Sequence, residues 1–356
     1  MADRLAPPNV ALQQIASPLQ NGAQHKYAPR PLPLFLSLVG DVARDDPALA
    51  RRALAGLARY GEARRAPLPP GRPAIARVGG ASLRDLGGNG STVVLIPSLI
   101  NPPLVLDLPG ASLAEALVGQ HRVLLVDWGF AAQRAGIDLG GHVEQLLIPL
   151  LATLGEPVAL AGYCLGGTMA LAAANLAPVA RVATLAAPWD FDHYPREARN
   201  ALGQLWERSV PTAQALGVLP TEVLQVAFWS LDPRGIVAKY ARLADEPAGS
   251  VALARFVTLE DWANDGEPLP RPAARELIET LFIDNEPGKG TWRVGGTIIR
   301  PDAVPALHFT AKADRIVPSS SAPPGERHAV PAGHVGMVVG SRARESLHRP
   351  LLNFLA

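Results

Sequence analysis

The stretch that most limits what this chain can become is ALAGYCLGGTMALAAA, residues 159–174. A short apolar run leads into Gly162-Tyr163-Cys164-Leu165-Gly166, and small helix formers follow. Strand, Gly-x-Cys-x-Gly and helix in that order is the setting of a nucleophile elbow, a strained turn that lifts its middle side chain off the edge of a sheet. The glycines on either side are needed because Cβ atoms there would collide with the neighbouring strand and helix. Gly167, Ala170 and Ala173 let the helix pack close. Cys164 is the only cysteine in 356 residues, which rules out an internal disulfide framework and a Cys-rich metal site. Burial as a structural thiol is the ordinary fate of a free cysteine, but the turn and its partners in the right order point to a nucleophile. The Leu165 amide, at the start of the helix, is then aimed at a reacting carbonyl oxygen and supplies half of an oxyanion hole.

Strand and helix signals alternate around this turn. STVVLIPSL, HRVLLVDWG, PVALAGYC, VARVATLAAPWDF, PALHFTAKADRIVP and ERHAVPAGH read as strands, with SLAEALVGQ, GGHVEQLLIPLLATLG, LGGTMALAAANLA and SRARESLHRPLLNFLA as helices. AIARVGGASLRDL adds an antiparallel edge pair. Repeated strand–helix units predict an α/β fold, a mostly parallel central sheet with helices on both faces. The core is expected over 71–190 and 300–356. The intervening 191–299 carry helical patterning, and four of the six tryptophans, Trp206, Trp229, Trp262 and Trp292, stand there beside Phe228, Phe256 and Phe282. This segment reads as a helical cap inserted into the core. Residues 1–70 form an N-terminal segment, loosely ordered to about residue 30. A helix follows in DDPALARRALAGLARYGE, capped by Asp46 with Pro47 in its first turn, Leu49, Leu54 and Leu57 on one face, and Gly61 at its end.

Hydrophobic residues make up 48% of the chain, and the formal net charge of +1 comes from scattered Lys and Arg, so no basic block is present to bind nucleic acid. MADRLAPPNVALQQ lacks the apolar core of a signal peptide, and no apolar run, LPLFLSLVG included, approaches the roughly 20 residues of a membrane span. A soluble protein without a transmembrane segment, in a reducing cytosolic setting, is the expectation.

A thiol nucleophile needs a base, and the base needs an orienting acid. In α/β-hydrolases the chain order is nucleophile, acid, histidine, the last two in loops after late strands. ALHFTAKAD ends in Asp314 and RHAVPAGH in His334, each just past a strand's carboxyl end, where such sheets place their ligands. Position selects Asp314 as acid and His334 as base. Asp127, and Asp190 or Asp192, end earlier strands and are the alternatives. His25, His121, His142, His193, His308, His328 and His348 are read as packing or surface. The second oxyanion donor is expected from the loop after STVVLIP, at the Ile100 amide. Asn101 in that loop and Phe228 and Trp229 in the cap are the candidate substrate contacts. No metal site and no cofactor are expected.

IPSLINPPLVLDL, DWG, GYCLGG, ADRIVP and GHVGMVVG together resemble the polyhydroxyalkanoate synthases, from about Val93 to the C-terminus. FVTLEDWANDGEP is similar to a cap stretch of the family's short class. The resemblance implies an α/β-hydrolase fold and a Cys164-Asp314-His334 triad that moves hydroxyacyl groups from CoA thioesters to a growing polyester chain. It also implies a second synthase subunit or a homodimer as partner, in the cytoplasm or at a polyester granule surface. The chain departs from the pattern at Arg315, where many synthases have histidine, and it lacks the long class's Trp-Asn-x-Asp motif. An ester or thioester hydrolase on the same triad, and a non-catalytic granule-associated protein, are the alternative functions.

Overall fold

The computed structural model describes residues 27–65 and 71–356. The stretch expected to be loosely ordered lies, up to residue 26, outside the described residues.

Eight of the strands are β1 (Ala74–Val78), β2 (Ala81–Gly87), β3 (Thr92–Ile96), β4 (Arg122–Asp127), β5 (Val158–Tyr163), β6 (Val179–Leu185), β7 (Ala306–Ala311) and β8 (Glu326–Val330). They make one sheet in the order β1-β2-β4-β3-β5-β6-β7-β8. β1 and β2 enter antiparallel, and from β4 onward every neighbour is parallel. Every residue of the central strands β3 and β5 is buried, which is why both read as unbroken apolar runs. At the edge, β1 alternates exposed and half-buried positions.

The described residues form two compact units: 27–65 with Asp232–Asn264, and 71–231 with Asp265–Ala356. Residues 232–264, from the middle of the expected cap, therefore belong to the first unit, while 191–231 and 265–299 belong to the unit that contains the sheet.

The first unit is built from α1 (Leu32–Asp45), α2 (Pro47–Glu62), α8 (Pro233–Ala241) and α9 (Val251–Asn264). α1 was not anticipated: LPLFLSLVG reads as an apolar run, but Phe35, Val39 and Val42 are spaced to bury one helix face. In α2, Asp46 accepts the Leu49 amide at 3.0 Å as expected, but the helix passes Gly61 and ends at Glu62. Its buried face is Ala50, Ala53, Gly56, Leu57 and Tyr60, while Leu49 and Leu54 of the expected stripe are half-buried. Close helix contact selects small residues, since a Cβ on Gly56 would collide with the Tyr240 carbonyl. Asp261 accepts from Tyr60 Oη at 2.6 Å and Arg65 Nε at 3.0 Å. Buried Glu260 accepts from Lys239 Nζ at 2.7 Å and Tyr240 Oη at 2.9 Å.

In the second unit, α3 (Leu113–Val118), α4 (Leu139–Gly141, His142–Leu147 and Ile148–Ala152, with a π turn in its middle), α5 (Leu165–Ala174) and α11 (Arg344–His348 and Arg349–Leu355) accompany the strands. All ten residues of α5 are buried, so it shows no amphipathic stripe. The cap helices of this unit are α6 (Arg196–Leu216), α7 (Thr221–Ser230) and α10 (Arg271–Arg275 and Glu276–Ile283). Two-residue strands, Val218–Leu219 between α6 and α7 and Leu269–Pro270 just before α10, pair antiparallel. No helix among the described residues is long and apolar enough to cross a membrane.

Candidate active site

Cys164 sits between β5 and α5 with φ 55° and ψ −131°, a conformation that L side chains rarely adopt. The chain tolerates it because the surroundings leave no alternative. A Cβ on Gly162 would lie 2.5 Å from Gly167 Cα, one on Gly166 2.6 Å from the Pro97 carbonyl, and one on Gly167 2.5 Å from Ala187 Cβ. The Cys164 amide donates to the Leu185 carbonyl at 2.8 Å, and its carbonyl accepts from Gly167 N at 2.8 Å, closing the turn. The thiol is left partly exposed at the start of α5, whose first N–H groups have no partner within the helix.

The loops after β7 and β8 carry the other two expected residues to this point. Asp314 and His334 are 20 positions apart in sequence, and His334 Nδ1 lies 2.7 Å from Asp314 Oδ2. The Asp314 side chain is fully buried. Its Oδ1 accepts the amides of Ile316 at 2.8 Å and Val317 at 2.9 Å. These bonds hold the carboxylate plane, so His334 carries its proton on Nδ1 and turns Nε2 toward the sulfur. Burial opposes a charge on His334, but the negative Cys164 sulfur, hydrogen bonds to Asp314 and Cys164, and the Asp314 charge outweigh it and raise the imidazole from 6.5 to about 10. Tyr163 supports the ring: its centroid lies 5.0 Å from that of His334, and its hydroxyl donates to the His334 carbonyl at 3.3 Å.

The alternative acids are engaged elsewhere. Asp127 accepts from Arg84 Nε at 2.8 Å and Gly129 N at 3.0 Å. Asp190 accepts from Asn285 Nδ2 at 2.9 Å, and Asp192 pairs with Arg199. His142 and His308 are buried and pushed down by that burial to about 4, consistent with neutral packing groups. His25 lies outside the described residues. Among the described residues, no group of three or more His, Cys, Asp or Glu side chains could hold a metal ion.

The loop after β3 is fastened by Trp128 Nε1, which donates to the Pro97 carbonyl at 3.1 Å, and by Glu267 N, which donates to the Ile100 carbonyl at 2.9 Å. The Ile100 amide makes a long 3.4 Å bond to Ser98 Oγ. Ile100 and Leu165 line a cavity of about 260 Å³ together with Cys164. Asn101 and Trp229 are not among its lining residues, whereas Phe228 is.

Residues that sequence reading passed over, together with Phe228, supply most of that lining. Ala198, Ala201, Leu202 and Leu205 come from α6, and Leu224, Ala227, Phe228 and Leu231 from α7 and the residue after it. Each set is spaced i, i+3, i+4, i+7, a signal visible in the sequence once two facing helices are assumed. Arg199 locks one wall, donating from Nε to the Phe282 carbonyl and from Nη2 to the Ile283 carbonyl, both at 2.8 Å. Trp206 and Trp292 serve packing: their indole N–H groups donate to Glu279 at 2.7 Å and Glu276 at 2.9 Å, one helical turn apart on α10.

No family model matches the chain. It is 25% identical over 278 residues to the poly(3-hydroxyalkanoate) polymerase subunit PhaC of Haloferax mediterranei, a match covering 72% of this chain and 56% of that protein. Against this relative the chain spans little more than half the length. With the subunit of the same name from Synechocystis sp., identity is 26% over 292 residues, 74% of this chain and 77% of the relative. Among solved structures, Epoxide Hydrolase A from Mycobacterium thermoresistibile superposes with a TM-score of 0.50 at 19% identity, over 81% of this chain and 98% of that one. The chain is similar in sequence to poly(3-hydroxyalkanoate) polymerase subunits, and its fold is that of the α/β-hydrolases.

Proposed function

We propose that this protein is a polyhydroxyalkanoate synthase-like acyltransferase that moves hydroxyacyl groups from CoA thioesters to the hydroxyl end of a polyester chain. The observation that carries the reading is a cysteine thiol, hydrogen-bonded to an Asp-held imidazole, at the wall of an apolar cavity. Similarity to the polymerase subunits supports the same class.

In the first half-reaction Cys164 Sγ, its proton held on His334 Nε2, attacks the thioester carbonyl carbon. The Leu165 and Ile100 amides stabilise the oxyanion. The C–S bond to CoA breaks, and the leaving sulfur takes the proton from His334. One thioester has replaced another, so the step is nearly isoenergetic. In the second, His334 removes the proton of an incoming hydroxyl, the oxygen attacks the acyl-Cys164 carbonyl, and the thiol regains the proton as an ester forms downhill. A serine would spend that drop at the first step. The apolar lining keeps water from competing for the acyl group.

Incubation of the purified protein with 3-hydroxybutyryl-CoA tests the reading. CoA release with insoluble polymer is expected. Release with only free hydroxy acid would make the protein a hydrolase, and no release would make it non-catalytic. Loss of all release in Cys164→Ala is expected in the same assay.

A further inference from the structure

The loop after β3 carries the Ile100 amide, and both of its ends are gripped from the loop after β4. At one end Trp128 Nε1 donates to the Pro97 carbonyl at 3.1 Å. At the other, Glu267 N donates to the Ile100 carbonyl at 2.9 Å, while Glu267 Oε2 accepts the Ala131 amide at 3.0 Å. We propose that Glu267 is a positioning residue for acyl transfer. Its amide and carboxylate together tie Ile100 to the loop after β4, which keeps the Ile100 N–H aimed at the oxyanion formed on Cys164. The inference rests on the reading of Cys164 as the acylated nucleophile given above.

Availability of the amide comes first. Ile100 lines the cavity with Cys164 and Leu165, and its N–H makes only the 3.4 Å contact to Ser98 Oγ. A bond of that length is weak, so the N–H can turn to a better acceptor. An oxyanion donor acts only if it is already in place when charge develops. The hold on Ile100 therefore bears on rate.

Close approach comes second. The Gly266 carbonyl accepts from Thr221 Oγ1 at 3.1 Å. A Cβ on Gly266 would lie 2.9 Å from Thr221 Cγ2 and 3.1 Å from the Ile100 carbonyl oxygen. Residue 267 is delivered against Ile100 with little freedom.

Charge comes third, and it explains a carboxylate in place of a neutral acceptor. Arg134, three residues past Ala131, is 1% exposed, and its Nε has no partner among the described residues. Its Nη1 donates to His142 Nε2 at 3.1 Å, because His142 Nδ1 carries the proton that bonds the Asp138 carbonyl at 2.6 Å. Burial disfavours the guanidinium charge, and the carboxylates of Glu267 and then Asp127 oppose that penalty. The His142 ring in turn meets Trp128 edge-on, with centroids 5.9 Å apart. One buried charge thus links the two grips on the loop.

Two probes read the oxyanion position in the full chain. Cys164 Sγ bonds to the carbonyl carbon of 3-hydroxybutyraldehyde, the π pair moves to oxygen, and that oxygen takes the proton from His334. The hemithioacetal oxygen then stands where the oxyanion forms. The thioether S-(3-hydroxybutyl)-CoA has no such oxygen. Loss of a whole oxyanion donor costs about 10²–10³ in kcat. Glu267→Ala, which only loosens one, is expected to weaken aldehyde binding by calorimetry about tenfold or more. Thioether binding should stay within about threefold, and kcat for CoA release from 3-hydroxybutyryl-CoA should fall about tenfold or more at unchanged KM. Glu267→Gln keeps an oxygen for Ala131 but no charge for Arg134. It should show the same split with losses of about threefold or more, and it decides if the alanine variant does not fold. Smaller losses, or equal weakening of both probes, overturn the proposal, as does a wild type that does not bind the aldehyde. A wild type that binds the aldehyde yet releases no CoA refutes the acyltransferase reading alone, and the two probes still decide the role of Glu267.

Discussion

Replacing Asp314 by Asn perturbs the site where its geometry leaves least freedom. Asp314 Oδ1 accepts the Ile316 and Val317 amides at 2.8 and 2.9 Å, while Oδ2 faces His334 Nδ1 at 2.7 Å. An asparagine must keep its oxygen toward the two amides, because an NH₂ group there would set donors against donors. Its nitrogen then faces His334 Nδ1, which becomes an acceptor. The imidazole proton moves to Nε2, the atom that has to receive the Cys164 proton. Loss of a hydrogen bond to a charged group costs about 1.5–3 kcal/mol, or roughly 10- to 150-fold in rate. With a hydroxyl nucleophile the wrong tautomer costs about 10⁴-fold. A thiol gives up its proton more readily, so a fall of about 10²-fold in acylation is expected. Asp314→Ala imposes no tautomer and should acylate faster than Asp314→Asn. It should also be less stable by about 1–3 kcal/mol, because two partly buried amides lose their acceptor. Single-turnover release of CoA at neutral pH, with enzyme in excess, measures the rates, and urea unfolding measures the stability. An Asn variant within threefold of the wild type, or one faster than the Ala variant, would refute the argument.

Three further outcomes follow from the same geometry. His334 is raised from 6.5 to about 10, so its contribution to folding stability is full below about pH 6.5 and lost as the pH rises through about 10. Urea midpoints should fall over that range in the wild type and much less in His334→Gln; parallel curves would contradict it. Cys164→Gly should abolish turnover yet raise stability by about 1 kcal/mol, because glycine adopts a positive φ without strain. A lower denaturation midpoint would show that the turn is unstrained. Gly166→Ala should destabilise by about 2–3 kcal/mol, since its methyl would collide with the Ile96 and Pro97 carbonyls. A melting temperature unchanged within error would mean that the loop after β3 yields freely.

The elbow at Cys164, a mostly parallel sheet with an antiparallel edge pair and the positions of Asp314 and His334 past late strands were all legible in the sequence. Each is dictated by rules that act between near neighbours: which turns need glycine, which runs stay buried, which loops end at a strand's carboxyl edge. The helix Leu32–Asp45 was missed because one short apolar run fits several elements until a neighbour buries one face. The cap was read as a single insert because helical patterning records that helices form, not which unit they join, and residues 232–264 group with 27–65. Its tryptophans stood out by size, yet Trp206 and Trp292 are held by Glu279 and Glu276 as packing. The cavity belongs instead to alanines, leucines and Phe228. Only tertiary structure decided that, because a cavity is defined by the side chains that surround a space, and the residues around this one come from segments more than a hundred positions apart, brought together by the parallel register of strands that themselves line none of it.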